Sequence, residues 1–370
     1  MAIKRFDGKT GEIVTVEYDS AILADNPLGD PHLRQFHVWL PPGYNHNADH
    51  NRGKRYPVLY DLVGYTGSGQ SHTNWQGFDE NVPERAARLI HQHKMTGCII
   101  VFPDCFTALG GNQYINSSAI GNYADYLTRE LIPFIDTEFR TLAAREHRGC
   151  FGKSSGGYGA MIHGMKYTKY WGAIANHSGD AYFDFIYRSD WPNTLTQLAR
   201  FREEKLREGI WQLPDSRGEA VAAGRDDGRI RKFLEYAWKR PRLNQSEMHC
   251  LMNLCMAATY DPDPAVPNGF YVPFDLDTGE LIPQRWRNWL RHDPVHLVRR
   301  YRDNLGKLNA IYMDCGWRDQ YHIQYGSRLI SRQLSEHGIK HRYEEFDGTH
   351  SGIDGRMDIS LAYLQRALRG

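Results

Sequence analysis

Gly152-Lys153-Ser154-Ser155-Gly156-Gly157 lies between two runs of different character. Before it, His147-Arg148-Gly149-Cys150-Phe151 has the length and apolar content of a buried strand, and after it Tyr158 to Met165 spaces its apolar residues as a helix does. The pattern is strand, tight turn, helix. A serine held on such a turn presents its hydroxyl at the end of a sheet, and small residues at 152, 156 and 157 let the neighbouring strand and helix come close. Ser154 is therefore the candidate nucleophile. An isolated G-x-S-x-G is equally an ordinary Gly/Ser-rich loop; the flanking elements and the partners downstream favour the nucleophile.

Residues 12–18 and 33–40 alternate apolar and polar side chains as half-buried strands do, and Pro41-Pro42-Gly43-Tyr44 ends the second. Tyr56 to Val63 and Gly97 to Phe102 are continuous apolar runs, the pattern of central parallel strands covered on both faces. Helices are expected over Pro83 to His91 and Tyr123 to Phe139, and a strand over Trp171 to Asn176. From Ala181 to Leu305 the periodicity weakens and tryptophan, arginine and proline become frequent; a hairpin is expected at Phe270 to Ile282. The rhythm returns with a strand at Leu308 to Met313, a helix at Tyr321 to His337, a strand at Lys340 to Phe346 and a helix at Ile359 to Leu368. The expectation is an α/β fold with a mostly parallel sheet and helices on both faces. Its core domain comprises residues 1–180 and 305–370, and a partly helical cap insertion spans 181–304.

Composition narrows the partners. With 370 residues, 41% hydrophobic and 24% charged, the chain is an ordinary soluble composition, and a net charge of +1 gives no electrostatic reason to expect nucleic acid or an anionic membrane. No run of 18 apolar residues exists, and Met1 to Asp7 lacks an apolar signal core, so a cytoplasmic protein is expected. Six cysteines at 98, 105, 150, 250, 255 and 315 form no C-x-x-C, which suits buried thiols. The His91-x-His93 and His46/His50 pairs lack further ligands, and Asp275-x-Asp277-x-Gly279 lacks the rest of a calcium loop; no metal is expected.

A serine hydroxyl is a poor nucleophile near neutral pH without a general base and a group that orients the base. Phe346-Asp347-Gly348-Thr349-His350 puts a histidine in a small-residue loop after the last strand. Asp314 and Asp319 both follow the preceding strand; Asp319 lies on the loop proper and is preferred, whereas Asp314 continues the strand and suits equally a cap or a pairing with an arginine. The order Ser, Asp, His is that of α/β-hydrolases. Gly64-Tyr65-Thr66-Gly67-Ser68-Gly69-Gln70-Ser71 has the spacing of a phosphate loop, but Gln70 stands where that loop needs lysine.

Tyr56 to Gly64, Gly152 to Gly159, Cys315-Gly316-x-x-Asp319 and Gly348-x-His350 together resemble the esterase D-like family of α/β-hydrolases, which includes feruloyl esterases, S-formylglutathione hydrolases, siderophore esterases and mycolyltransferases. The resemblance covers about 33–180 and 308–369. It implies a Ser154–His350–Asp319 triad, an oxyanion hole from the backbone N–H groups of Tyr65 and Ser155, a small-molecule ester as substrate and no cofactor. Val63 departs from the histidine common before that glycine. Gly64 is a candidate for contact with substrate; Trp286, Trp289 and Trp317 are either ordinary core or, if the insertion covers the catalytic edge, further such candidates lining an acyl or aryl pocket. An acyltransferase using the same triad and a non-catalytic binding protein on the hydrolase scaffold are the alternatives; homo-oligomerisation is left open.

Overall fold

The computed structural model describes residues 8–47, 53–202 and 223–369. Met1 to Asp7, His50 and the 203–222 part of the expected insertion lie outside them. Eight strands form one sheet: β1 (Glu12–Asp19), β2 (Leu33–Leu40), β3 (Val58–Leu62), β4 (Ile99–Phe102), β5 (Arg148–Lys153), β6 (Ala173–His177), β7 (Ala310–Gly316) and β8 (Arg342–Phe346). Their spatial order is β1-β2-β4-β3-β5-β6-β7-β8. The first two strands are antiparallel and the remaining six run parallel. Burial explains the sequence pattern: every residue of β3, β4, β6 and β7 is buried, while β1, at the edge, alternates.

One face of the sheet packs on α1 (Val82–His91) and the closing helix Met357–Ala367 around Trp39, Leu59, Phe151 and Leu361. The other face carries α2 (Ser155–Lys166), with Tyr158, Met161 and Ile162 in a second, larger cluster. Between β4 and β5 runs a helical rod of Tyr123–Asp125, Tyr126–Leu131 and Ile132–Glu138, whose middle part is π-helical. Pro133 accounts for the slip, because it has no N–H and its ring crowds the carbonyl one turn back.

Within 181–304 the described residues are largely helical: α3 (Trp191–Ala199), α4 (Arg229–Trp238), α5 (Gln245–Tyr260) and α6 (Pro283–Leu290). Asn244 caps α5 by accepting from the Glu247 N–H at 2.9 Å, while the Glu247 side chain accepts in return from the Asn244 N–H. Cys250, Leu254, Tyr260 and Trp289 share one apolar cluster with the sheet strands. The expected hairpin is present but short: around an antiparallel bridge between Phe274 and Leu281, Ile282 N–H donates to Pro273 and Asp275 N–H to Glu280 (both 2.9 Å), while the Asp275 carboxylate accepts from the N–H groups of Asp277 and Thr278 in the turn. No helix among the described residues is long and apolar enough to cross a membrane.

The two ends of the 181–304 segment are tied by one side chain. The buried Asp293 carboxylate accepts from Tyr182 N–H (3.0 Å), Phe183 N–H (2.8 Å) and Val295 N–H (3.0 Å). Removing it leaves three backbone donors without their acceptor, the Phe183 N–H among them buried. Asp293→Ala is expected to lower the unfolding free energy by about 2–4 kcal/mol. Urea unfolding of the variant beside the wild type measures this; superimposable curves would contradict it.

Candidate active site

Parallel neighbours end at the same edge of a sheet, so the loops after β3, β5, β6, β7 and β8 meet there. Ser154 opens the turn after β5 with φ 54° and ψ −125°, a conformation that costs a non-glycine residue about 1–3 kcal/mol. Close backbone contact holds it there. A Cβ at Gly156 would lie 1.7 Å from the Leu62 carbonyl oxygen, and one at Gly152 would lie 2.1 Å from the same atom. Only hydrogen fits at either position. α2 therefore begins at Ser155, three residues before the apolar spacing suggested, because Ser-Gly-Gly are weak helix formers that the approach of β3 requires. Ser155 N–H stands in the first turn of α2, where backbone donors are unpaired and the helix dipole favours negative charge.

The loop after β3 runs alongside: a Cβ on Gly64 would sit 3.4 Å from that of Ser154. Tyr114 donates to the Val63 carbonyl (2.6 Å), Thr66 N–H donates to Gly110 (2.9 Å) and the Tyr65 hydroxyl donates to Leu109 (2.7 Å). These bonds fix the Tyr65 backbone beside the serine.

The loop after β7 carries Asp319 and the loop after β8 carries His350. His350 Nδ1 lies 2.8 Å from Asp319 Oδ2, and Asp319 Oδ1 accepts from the Tyr321 N–H at 2.8 Å. Asp319 is buried; the Tyr321 ring stands edge-on to the imidazole at 4.9 Å. Ser154, Ser155, Gly64, Tyr65 and His350 line one cavity of 360 Å³. Its remaining wall includes Ile186, Tyr187, Met248, Met252 and Ile323 with Asp180. Asp180, three residues beyond β6, is the charged group that sequence inspection passed over; its position just past the carboxyl end of a parallel strand was the available signal.

Other His–Asp pairs share the fold: His32–Asp19 on the surface (2.7 Å), His249–Asp190 (3.2 Å) and two buried ones. His72 Nδ1 lies 2.7 Å from Asp61 Oδ2 beneath the β3 loop. His177 Nδ1 lies 2.7 Å from Asp314 Oδ1, and its Nε2 is 2.8 Å from Ser360 Oγ, a triad-like chain sealed inside the protein. Asp314 also accepts from Arg356 Nε (2.9 Å) and Tyr312 (2.8 Å). Burial pushes the Asp314 carboxyl up, but His177, Arg356 and Tyr312 outweigh it and hold the carboxyl below its ordinary value.

The tryptophan assignments need correction. Trp289 is fully buried between Tyr187 (5.5 Å) and Tyr260 (5.4 Å), and Trp286 packs on Trp191 (5.2 Å) while donating to Asp184 at 3.0 Å. They stand three apart on α6, on the face that turns into the core, so Tyr187 forms the cavity wall in front of them. Trp317 is 51% exposed and lies under the Arg318 guanidinium, outside the cavity lining. All six cysteines are buried and none is in a disulfide. Among the described residues no group of three His, Cys, Asp or Glu side chains could hold a metal.

The sheet order, with a positive-φ serine between β5 and α2, defines an α/β-hydrolase fold. The chain belongs to the family described as Putative esterase, whose model matches residues 31–354. A solved ferulic acid esterase is similar in structure, with a TM-score of 0.56 at 18% identity over 96% of this chain and 98% of that one. An S-formylglutathione hydrolase from Agrobacterium tumefaciens has a TM-score of 0.53 at 16% identity, covering 100% of both chains. Esterase Rv1288 of Mycobacterium tuberculosis is 31% identical over 153 residues, which are 39% of this chain and 28% of that protein. The chain thus spans little more than a quarter of the curated relatives it matches.

A carboxyl with a depressed value in the folded state stabilises the protein above its unfolded value, about pH 4, and that contribution disappears as pH falls through the folded value. Asp314→Asn is therefore expected to be less stable than wild type at neutral pH, with the gap closing on acidification below about pH 4. Thermal melts of both proteins across this range check the sign; a gap that widens in acid would contradict it.

Proposed function

We propose that this chain is a serine carboxylester hydrolase that acts on a small-molecule ester through an acyl-enzyme. The observation that carries this is the joint opening of Ser154, on its strained turn, and of His350, bonded at Nδ1 to buried Asp319, onto one cavity. The histidines of two His–Asp pairs line this cavity, His350–Asp319 and His249–Asp190 (3.2 Å); His350 stands on the loop after β8, as the hydrolase order of Ser, Asp and His requires of the base, whereas His249 stands on α5 with its Nε2 3.4 Å from the Tyr321 hydroxyl.

In this proposal Ser154 Oγ attacks the ester carbonyl and His350 Nε2 takes the hydroxyl proton. Asp319 accepts from Nδ1–H, fixing the tautomer and stabilising the imidazolium. The carbonyl oxygen becomes an oxyanion held by the backbone N–H groups of Tyr65 and Ser155. When the tetrahedral intermediate collapses, the carbon–oxygen bond to the alcohol breaks and His350 returns the proton to the departing oxygen. Water, deprotonated by the same imidazole, then attacks the acyl-enzyme, and the acid leaves with Ser154 reprotonated. The segment 181–304 serves as a cap: Ile186, Tyr187, Met248 and Met252 supply wall for the acyl group and exclude water.

Ser154→Ala is expected to lower kcat by at least about 10³-fold with folding intact, since the hydroxyl makes chemistry rather than packing. Asp319→Asn should lower kcat by about 10²–10⁴-fold through the wrong imidazole tautomer, and Asp314→Asn by far less. Nitrophenyl ester kinetics on the three variants test the assignment. Equal losses at Asp314 and Asp319, or full turnover by Ser154→Ala, would overturn it.

A further inference from the structure

We propose that Asp180 selects the acyl group, favouring short acyl chains that carry a hydroxyl a few bonds from the ester carbonyl. This rests on the esterase reading above and deepens it.

Asp180 is a buried carboxylate on the wall that Ile186, Met248, Met252 and Ile323 also form, in a cavity bordered elsewhere by Lys153, His249 and His350. A charge kept there without an ion pair needs hydrogen bonds, and two are present. Tyr187 donates to Oδ2 at 2.7 Å, and Gln113 Nε2 donates to the same oxygen at 3.0 Å. Both fall on Oδ2, which leaves Oδ1 with acceptor capacity toward the cavity that the residue lines. The same Gln113 nitrogen lies 3.0 Å from Ser155 Oγ, so two successive short steps connect the oxyanion-side residue to Asp180. Asp180 and Ser154 line the same cavity, so an acyl group attached at Ser154 enters the space that this acceptor borders.

Burial raises the Asp180 carboxyl, and the bonds from Tyr187 and Gln113 together with the nearby His350 oppose that rise. A hydroxyl suits such a group better than a methylene, whose entry would bury Oδ1 with no donor. A site that hydrogen-bonds a substrate hydroxyl discriminates against the analogue lacking it far more strongly than an apolar pocket discriminates by size. Tyr187 and Gln113 are both donors to Oδ2, so Asp180→Asn must turn its carbonyl toward them. Its amide NH₂ then faces the cavity, and the acceptor there becomes a donor.

The test compares kcat/KM for phenyl 3-hydroxybutyrate, phenyl 3-methoxybutyrate and phenyl butyrate in wild type and Asp180→Asn. Ratios between proteins cancel intrinsic ester reactivity. Wild type is expected to prefer the hydroxy ester over the methoxy ester, which can only accept, by about tenfold or more. In Asp180→Asn that ratio should fall at least about tenfold toward unity, because the amide donates to either ligand. Hydrolysis of phenyl butyrate with no hydroxyl preference in the wild type overturns the inference and leaves the esterase reading standing, even if the variant fails to fold. An unchanged ratio in folded Asp180→Asn also overturns it, since a carboxylate that merely braces Gln113 would alter all three esters alike. Hydrolysis of none of the esters takes down both.

Discussion

The contact between the backbone of β3 and the turn after β5 governs the rest of the structure. Leu62 presents its carbonyl oxygen where a methyl group on Gly152 or Gly156 would have to be, at 2.1 and 1.7 Å. β3 can lie that close to both the end of β5 and the first turn of α2 only if hydrogen alone separates them, and Ser154, between the two glycines, holds positive φ. The same closeness sets the loop after β3 beside the serine. Strain at one residue and the placement of a second loop follow from one steric fact.

Similar side chains acquire different work from their surroundings. His177 and Asp314 have the same 2.7–2.8 Å geometry as His350 and Asp319, and even a serine on the far nitrogen. They are sealed between β6, β7 and the closing helix, with Arg356 and Tyr312 completing the network, so no substrate reaches them. His350 stands on a loop at the sheet edge, open to the cavity. Access, rather than the pairing itself, separates a structural brace from a candidate base.

Much of this architecture was legible in the chain. The apolar runs of β3, β4 and β6 identify buried parallel strands because both their faces are covered, and the glycines around Ser154 announce a close approach. What was not legible depends on long-range packing. α2 starts at Ser155 despite weak helix formers, since the sheet sets its origin. Trp286 and Trp289 face inward although their spacing allows either a core or a pocket role, and periodicity marks a buried face without naming what lies in front of it. Asp180 has no local motif; only the meeting of Gln113, Tyr187 and Ser155 around it, drawn from distant parts of the chain, gives it meaning.

The central claim is that Ser154 carries the acyl group during turnover. Intact-mass spectrometry after acid quench of the wild type mixed with a nitrophenyl ester, followed by peptide mapping, tests it most directly. The account predicts one acyl adduct, mapped to Ser154, that forms within the first turnover and decays as substrate runs out. Sustained hydrolysis with no adduct, or with the adduct on another residue, would contradict it.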